Sequence, residues 1–211
     1  MNRKPKVYVS IPNTGWVRQE MAYHILRIIW NDKDHEVFVE PFFMSLDRDK
    51  YIFSTRNRIV RRFMELDYDF LLMIDADTVP LFNPLDLVDF SCDIIAAPER
   101  VIETPHITWS AWRVKDSLMA PIDIEKESDA VVEVDAVGAG CIAIKRSVLE
   151  KIKAPFNVVI DDEGILAMGA DIRFCQLAKK HGFEVWMTTK LICEHYKEVP
   201  LYFARKWGAI L

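Results

Sequence analysis

FLLMIDADTVP, residues Phe70 to Pro80, is the stretch that decides the reading of this chain. Phe70 to Ile74 is apolar without a break, the pattern of a strand covered on both faces in a largely parallel sheet. Asp75-Ala76-Asp77 follows at once. In open α/β sheets ligands bind outside the carboxyl ends of the strands. Two carboxylates placed there, two residues apart, can project the same way and share a hard cation. Mg2+ or Mn2+ prefers oxygen ligands and takes substrate phosphates into its shell. A solvated acidic turn is the alternative for a bare pair of aspartates.

Outward from this stretch, strands and helices alternate. Ser54 to Leu66 reads as a helix with Ser54 or Thr55 as N-cap and Ile59, Val60, Phe63 and Leu66 as its apolar positions. It opens on Arg56-Asn57-Arg58, guanidinium groups at a helix start that suit a phosphate or nucleotide. A solvated basic face is the other reading, and Arg61 and Arg62 fall to it. Toward the N-terminus, Lys6 to Ile11 is a strand ended by Pro12-Asn13-Thr14-Gly15. Trp16 to Trp30 is an amphipathic helix with Met21, Ile25, Ile28 and Ile29 at helical spacing, and Glu36 to Phe43 is a second strand. Downstream come a short helix at Pro84 to Phe90 and a strand at Asp93 to Ala97. An irregular region, Arg100 to Val132, carries Trp109 and Trp112. Val134 to Ile144 is strand-like around Gly138 and Gly140, and Arg146 to Ile152 is a short helix. Gly169 to His181 is a helix stopped by Gly182, with short strands at Glu184 to Met187 and Leu191 to Cys193. The alternation predicts one α/β sandwich domain over residues 1–211, with a mostly parallel central sheet.

Composition narrows the function classes. The 51% hydrophobic and 28% charged residues are globular values, so disorder is excluded. Seven glycines and no GxGxxG or GxxxxGK[ST] leave no Gly-rich phosphate loop. Any diphosphate is then expected on a metal held by carboxylates. A net charge of −5 argues against sequence-independent nucleic-acid binding over a broad face. Cys92, Cys141, Cys175 and Cys193 are widely spaced in apolar segments, which predicts buried free thiols in a reducing compartment. No run approaches the ~18–20 apolar residues of a membrane span, and no apolar leader follows the basic Met1–Lys6. The expectation is a soluble, cytoplasmic protein. Peripheral membrane contact, dimerisation or covering of the site is left open for the segment 199–211, with Phe203, Trp207, Ile210 and Leu211.

Two further residues draw notice. Asp171 lies in the first turn of the helix from Gly169, where it either complements the helix dipole or serves as a carboxylate base near the sheet's open edge. His195, after Ile192-Cys193-Glu194, is a structural histidine or an imidazole that completes a Mn2+ shell.

The ordered set VYVSIPNTG (7–15), STRNRIVRRFMELDYDFLLMIDADTVP (54–80), VDAVGAGCIAIKRSVLEKI (134–152), GADIRFCQLAKKHGFEVW (169–186) and CEH (193–195) resembles the GT-A glycosyltransferases, particularly the family 2-like inverting enzymes. The resemblance implies the GT-A fold, a Rossmann-like three-layer sandwich of the nucleotide-diphospho-sugar transferases. Its nucleotide-binding half would be roughly 1–98, its acceptor and catalytic half roughly 99–198. It implies a nucleotide-diphosphate-sugar donor, commonly a UDP-sugar, with Mn2+ or Mg2+. Ser10, Ile11 and Pro12 would hold the base, Glu40 the base or ribose, and Arg56 and Asn57 would lie near the nucleotide. Asp75, within Asp75-Ala76-Asp77, would lie near the ribose or a metal-bound water. Asp77 would be the direct metal ligand, His195 a further one, and Asp171 the catalytic base. Gly138 and Gly140 would line the donor-sugar and acceptor cleft, and Trp109 and Trp112 would stack on an acceptor sugar or simply pack. The acceptor, whether a glycan, lipid-linked, protein or nucleic-acid-linked hydroxyl, is not implied, and a homo-oligomer is open. Rival readings are a nucleotidyltransferase, a non-catalytic nucleotide-sugar-binding domain and a retaining glycosyltransferase.

Overall fold

The computed structural model describes residues 3–44, 51–103, 106–116 and 118–197. The segment 199–211, for which the sequence leaves a lid, dimer or membrane role open, lies outside the described residues.

In chain order the first half runs β1 (Lys6–Asn13), α1 (Gln19–Asn31), β2 (Glu36–Phe43), α2 (Ile52–Glu65) and β3 (Phe70–Ile74). There follow β4 (Thr78–Pro80), α3 (Asp86–Asp89) and β5 (Ile94–Ala96). The middle holds β6 (Arg100–Glu103), β7 (His106–Trp109), β8 (Ala111–Lys115), β9 (Leu118–Pro121) and β10 (Val131–Glu133). The last part holds β11 (Ala136–Val137), β12 (Cys141–Lys145), α4 (Arg146–Lys151), β13 (Val159–Ile160) and β14 (Leu166–Met168). It closes with α5 (Ala170–Lys180), β15 (Val185–Thr188) and β16 (Cys193–His195).

Seven strands form the central sheet in the order β10-β15-β5-β12-β3-β1-β2. The pairs β1/β2, β1/β3 and β5/β15 are parallel, while β12 runs against both β3 and β5, and β10 against β15. Five strands therefore share one direction and two oppose it, so the expectation of a mostly parallel sheet is met. The FLLMI run lies in the middle. Its alternate side chains serve two cores, as the period of two requires. Leu71 and Met73 join Tyr8, Ile59, Phe63 and Phe174 on one face. Leu72 and Ile74 join Val7, Val9, Met21, Ile28 and Leu87 on the other. Every side chain of Leu71 to Ile74 is fully buried, which is why that stretch carries no polar residue. At the sheet's edge, Pro41 in β2 removes an amide donor from the unpaired side of the strand. Among the described residues no helix is long and apolar enough to cross a membrane.

Several local expectations change. Helix α1 starts at Gln19 rather than Trp16, because Gly15, at φ +103°, turns the chain first. Helix α2 begins at Ile52, its N-cap Tyr51 makes no side-chain cap, and Thr55 is buried inside the helix instead of capping it. Residues 100–132 are not irregular. They hold the hairpins β6–β7 and β8–β9, with β11 added beside β8, built from short strands of mixed polarity that show no clean alternation. The expected strand over 134–144 is two, β11 and β12, broken at Gly138-Ala139-Gly140. The last strand is Cys193–His195, two residues later than expected, so His195 lies within it. Cys141, Cys175 and Cys193 are buried and free as expected, whereas Cys92 is only half-buried.

Candidate active site

The carboxyl end of β3 gathers most of the polar groups singled out in the sequence. Asp75 is the first residue after the strand, and its amide donates to the Gly140 carbonyl at 2.8 Å. This bond ties the aspartate turn to the Gly138–Gly140 break. A Cβ on Gly140 would lie 2.3 Å from Oε2 of Glu99, and one on Gly138 would lie 2.9 Å from the Ser110 Cβ. Both positions are therefore glycine because other side chains fill the space. Gly140→Ala is expected to destabilise the fold by about 1–3 kcal/mol, the usual range for overpacking. The check is the urea midpoint at pH 7; a change below about 0.5 kcal/mol would mean that Glu99 moves aside freely.

Arg56 is the hub. It enters from the first turns of α2 and is 4% exposed. Its Nη1 donates to Asp171 Oδ1 at 2.5 Å, and Nη2 donates to Asp75 Oδ2 at 2.8 Å and to the Ala139 carbonyl at 3.4 Å. The guanidinium thus joins the two aspartates that the sequence placed in different roles. Asp171 Oδ2 accepts from the Ala139 amide at 3.2 Å. Asp171 is neither an N-cap nor a mere dipole partner. Gly169 occupies the cap of α5, and the Asp171 carboxylate, 29% exposed, points at the break before β12. Burial raises the Asp75 carboxyl above the ordinary carboxylate range, with Asp171 adding to it and Arg56 opposing. Asp75 Oδ1 and Arg56 Nε are sealed from solvent, with no hydrogen-bond partner among the described residues.

A second cluster adjoins the first. Strand β16 pairs antiparallel with β4, which sets His195 opposite Thr78 and beside Asp77. His195 Nε2 lies 3.4 Å from Asp77 Oδ2, and Nδ1 lies 3.1 Å from the Arg100 carbonyl. Lys197 Nζ donates to the same Asp77 oxygen at 2.5 Å. Burial works to raise the Asp77 carboxyl, but His195 and Lys197 outweigh it and hold the group well below its ordinary range. For His195, burial lowers the imidazole, and Asp77 and Glu99 together turn the balance upward.

Glu99 completes this cluster and escaped the sequence reading. It is 6% exposed, accepts from Thr78 Oγ1 at 2.7 Å and lies 3.9 Å from His195 Nδ1. Burial pushes its carboxyl up to about 6, against the pull of His195 and Thr78. It is the third residue past the apolar strand β5, whereas Asp75 follows β3 directly, so the cue was weaker. Lys197 carried no such signal.

Other expected site residues are engaged elsewhere. Ser10, Ile11 and Pro12 are buried at the end of β1. Glu40 accepts from Tyr8 Oη at 2.6 Å and pairs with Arg62 at 3.3 Å, so Arg62 is not merely solvated. Asn57 clasps the Phe156 backbone, donating to its carbonyl at 2.5 Å and accepting from its amide at 3.0 Å. Trp109 is 7% exposed, with the Arg100 guanidinium 4.1 Å over its ring; that face is not open to a sugar. Trp112 is half-buried on β8, opposite Ala136. Ala76 sits in the turn between the two aspartates. A cleft of about 350 Å³ lies away from all of these, lined by His24, Arg27, Phe82 and Pro84 among others.

Whether the site suits a divalent cation is a matter of donors. Among the described residues no three His, Cys, Asp or Glu side chains stand close enough to hold a metal. At the end of β3, Asp77 and His195 come within 3.4 Å of each other, one hard oxygen and one imidazole nitrogen. That pair fits Mn2+ or Mg2+ only as part of a shell finished by phosphate oxygens and water. Lys197 competes for the Asp77 oxygen.

No protein-family model and no curated protein matches the chain. Solved structures do. The crystal structure of A197 from STIV superposes with a TM-score of 0.60 at 23% identity, covering 92% of this chain and 86% of that one. GalNAc-T7, crystallised with UDP, GalNAc and Mn2+, gives 0.51 at 10% identity, covering 92% of this chain and 43% of that one. This chain thus corresponds to less than half of the GalNAc-T7 chain. The inositol-1-phosphate CTP transferase from T. maritima reaches only 0.49 at 8% identity and adds no weight. At such identities what is shared is the fold: a GT-A-like, Rossmann-related α/β sandwich.

Proposed function

We propose that this protein moves a sugar from a nucleotide-diphosphate-sugar donor to an acceptor hydroxyl, with inversion at the anomeric carbon. The observation that carries the reading is the meeting of Asp75 and Asp171 on one buried guanidinium at the carboxyl end of β3, with Asp77 and His195 alongside. In this account Asp171 accepts the proton of the acceptor hydroxyl as that oxygen attacks the anomeric carbon. The bond from that carbon to the diphosphate breaks from the opposite face, and one carboxylate suffices. Arg56 and the Ala139 amide aim Asp171, leaving its exposed side to the acceptor. Asp77 and His195 would hold the divalent cation, which when bound supplies positive charge against the departing diphosphate. The His195 Nδ1 proton, donated to the Arg100 carbonyl, leaves Nε2 as the ligating nitrogen. Gly138 to Gly140 floor the sugar cleft.

Because the GalNAc-T7 crystal held UDP and Mn2+, UDP-sugars with Mn2+ are the first donors to assay. Free nucleoside diphosphate and an inverted product are expected. Pyrophosphate would indicate a nucleotidyltransferase, and a retained anomer would exclude the single-base scheme. A second reading has one observation in its favour: both Asp171 oxygens are already engaged, by Arg56 and by the Ala139 amide. A domain that binds a nucleotide-sugar without turnover would show donor binding and no diphosphate release.

Lys197→Met removes the ammonium that competes at Asp77. It is expected to strengthen Mn2+-dependent donor binding by about threefold to tenfold, read as a larger thermal shift at equal Mn2+ and UDP. An unchanged shift would place the cation away from Asp77.

A further inference from the structure

Helix α1 carries apolar residues on the side that faces away from the core. Met21 and Ile28 are buried against the sheet. At about 100° per residue the opposite pole holds Tyr23, Leu26 and Trp30, exposed by 60%, 63% and 85%. Trp16, 57% exposed, stands seven residues before Tyr23. Scattered exposed apolar side chains are ordinary. Here Gln19, Tyr23, Leu26 and Trp30 fall at spacings of four, three and four, the seam of a helix that packs on another helix, and Trp16 lies just before the helix begins.

The charges beside the seam favour a second copy of this chain as its occupant. Glu20 and Arg27 lie on one flank, seven residues and about two turns apart, each directly after a seam position. When two such helices pack antiparallel about a two-fold axis, like flanks face each other. Glu20 then meets the partner's Arg27, and Arg27 meets the partner's Glu20, with the axis passing between Tyr23 and His24. In the same register Tyr23 and Leu26 interleave with their counterparts, and Trp30 reaches the start of the partner's helix. In a parallel pairing that flank would face the opposite one, which holds Ala22 and Ile29, and neither charge would meet a counter-charge. Among the described residues Glu20 pairs with Arg18 at 3.7 Å and Arg27 lies 5.8 Å over the Tyr23 ring, contacts loose enough to be exchanged for one across the axis.

We propose that the protein forms an isologous dimer through antiparallel α1 helices, with reciprocal Glu20–Arg27 contacts. The test is the solution mass of the full chain by light scattering or sedimentation at tens of micromolar, with circular dichroism confirming the fold of each variant. The wild type should run at about twice 24.5 kDa. Trp30→Glu should run as a monomer. Glu20→Arg and Arg27→Glu alone each set like charges across the axis and should raise the dimer dissociation constant about tenfold or more. The two together should restore it to within about threefold of the wild type. A monomeric wild type, or single variants as dimeric as the wild type, overturns the proposal. A double swap no better than either single variant overturns the antiparallel register.

Discussion

Asp171→Asn is expected to lower sugar transfer by about 10²–10⁴-fold, the usual contribution of a positioned general base, while donor binding stays within about twofold. The separation follows from where Asp171 sits. Its contacts, the Arg56 guanidinium and the Ala139 amide, are both donors, and an asparagine carbonyl still accepts from one of them. The fold and the cleft therefore survive, and only the capacity to take a proton is removed. The measurement pairs initial transfer rates with a donor titration on the same preparation. Full turnover by Asp171→Asn would falsify the base assignment. Parallel loss of binding and turnover would instead make Asp171 a structural partner of Arg56.

Arg56→Met is expected to destabilise the protein by about 3–5 kcal/mol at pH 7, the range for removing one member of a buried ionic set. The guanidinium is the cation that meets both Asp75 and Asp171. Without it two largely buried carboxylates stand together with no counter-charge. The loss should shrink at low pH, with the following sign. Burial already raises the folded-state Asp75 carboxyl above its ordinary range. Removing Arg56, which opposes that rise, carries it higher still. A group whose folded value is raised contributes its full stability below the unfolded value and loses it as pH climbs through the folded value. The penalty in Arg56→Met is therefore present at pH 7 and fades on acidification. Asp75→Asn in the Arg56→Met background should recover part of the loss at pH 7. Urea unfolding of the single and double variants at pH 5 and pH 7 checks this; a single-variant cost below about 1 kcal/mol would mean that water reaches the triad.

The sheet was legible because its central strand obeys a strong constraint. A strand buried on both faces admits no polar side chain, and Phe70 to Ile74 shows that directly. Helix α5 was legible from its apolar spacing and from Gly182, which takes φ +85° just past its end. The hairpins between Arg100 and Pro121 were not, since they are short, half-exposed and defined by pairing across the chain. The placement of individual site residues was only partly legible. Asp75 and Asp77 announce themselves by following an apolar strand. That Asp171 would be bound by Arg56, 115 residues away, is a fact of tertiary packing with no trace in local spacing. Arg56 was expected near a nucleotide from its place at a helix start, and its contacts with the two aspartates could not be read there. His195 meets Asp77 through the register of β16 on β4, a pairing of three-residue strands that no local pattern marks. Glu99 was passed over because it stands alone, three residues past the end of β5, whereas Asp75 follows β3 directly and has a companion two residues on.

The most direct test of the account is a donor screen by thermal shift on the wild-type chain, with and without Mn2+. A ligand that binds only the folded state raises its apparent stability by RT ln(1 + [L]/Kd), about 2.7 kcal/mol at a hundredfold excess over Kd. The account predicts a shift with at least one nucleotide-diphosphate-sugar, larger when Mn2+ is present and lost in Asp77→Ala. No shift with any nucleotide-sugar, with or without Mn2+, would contradict it.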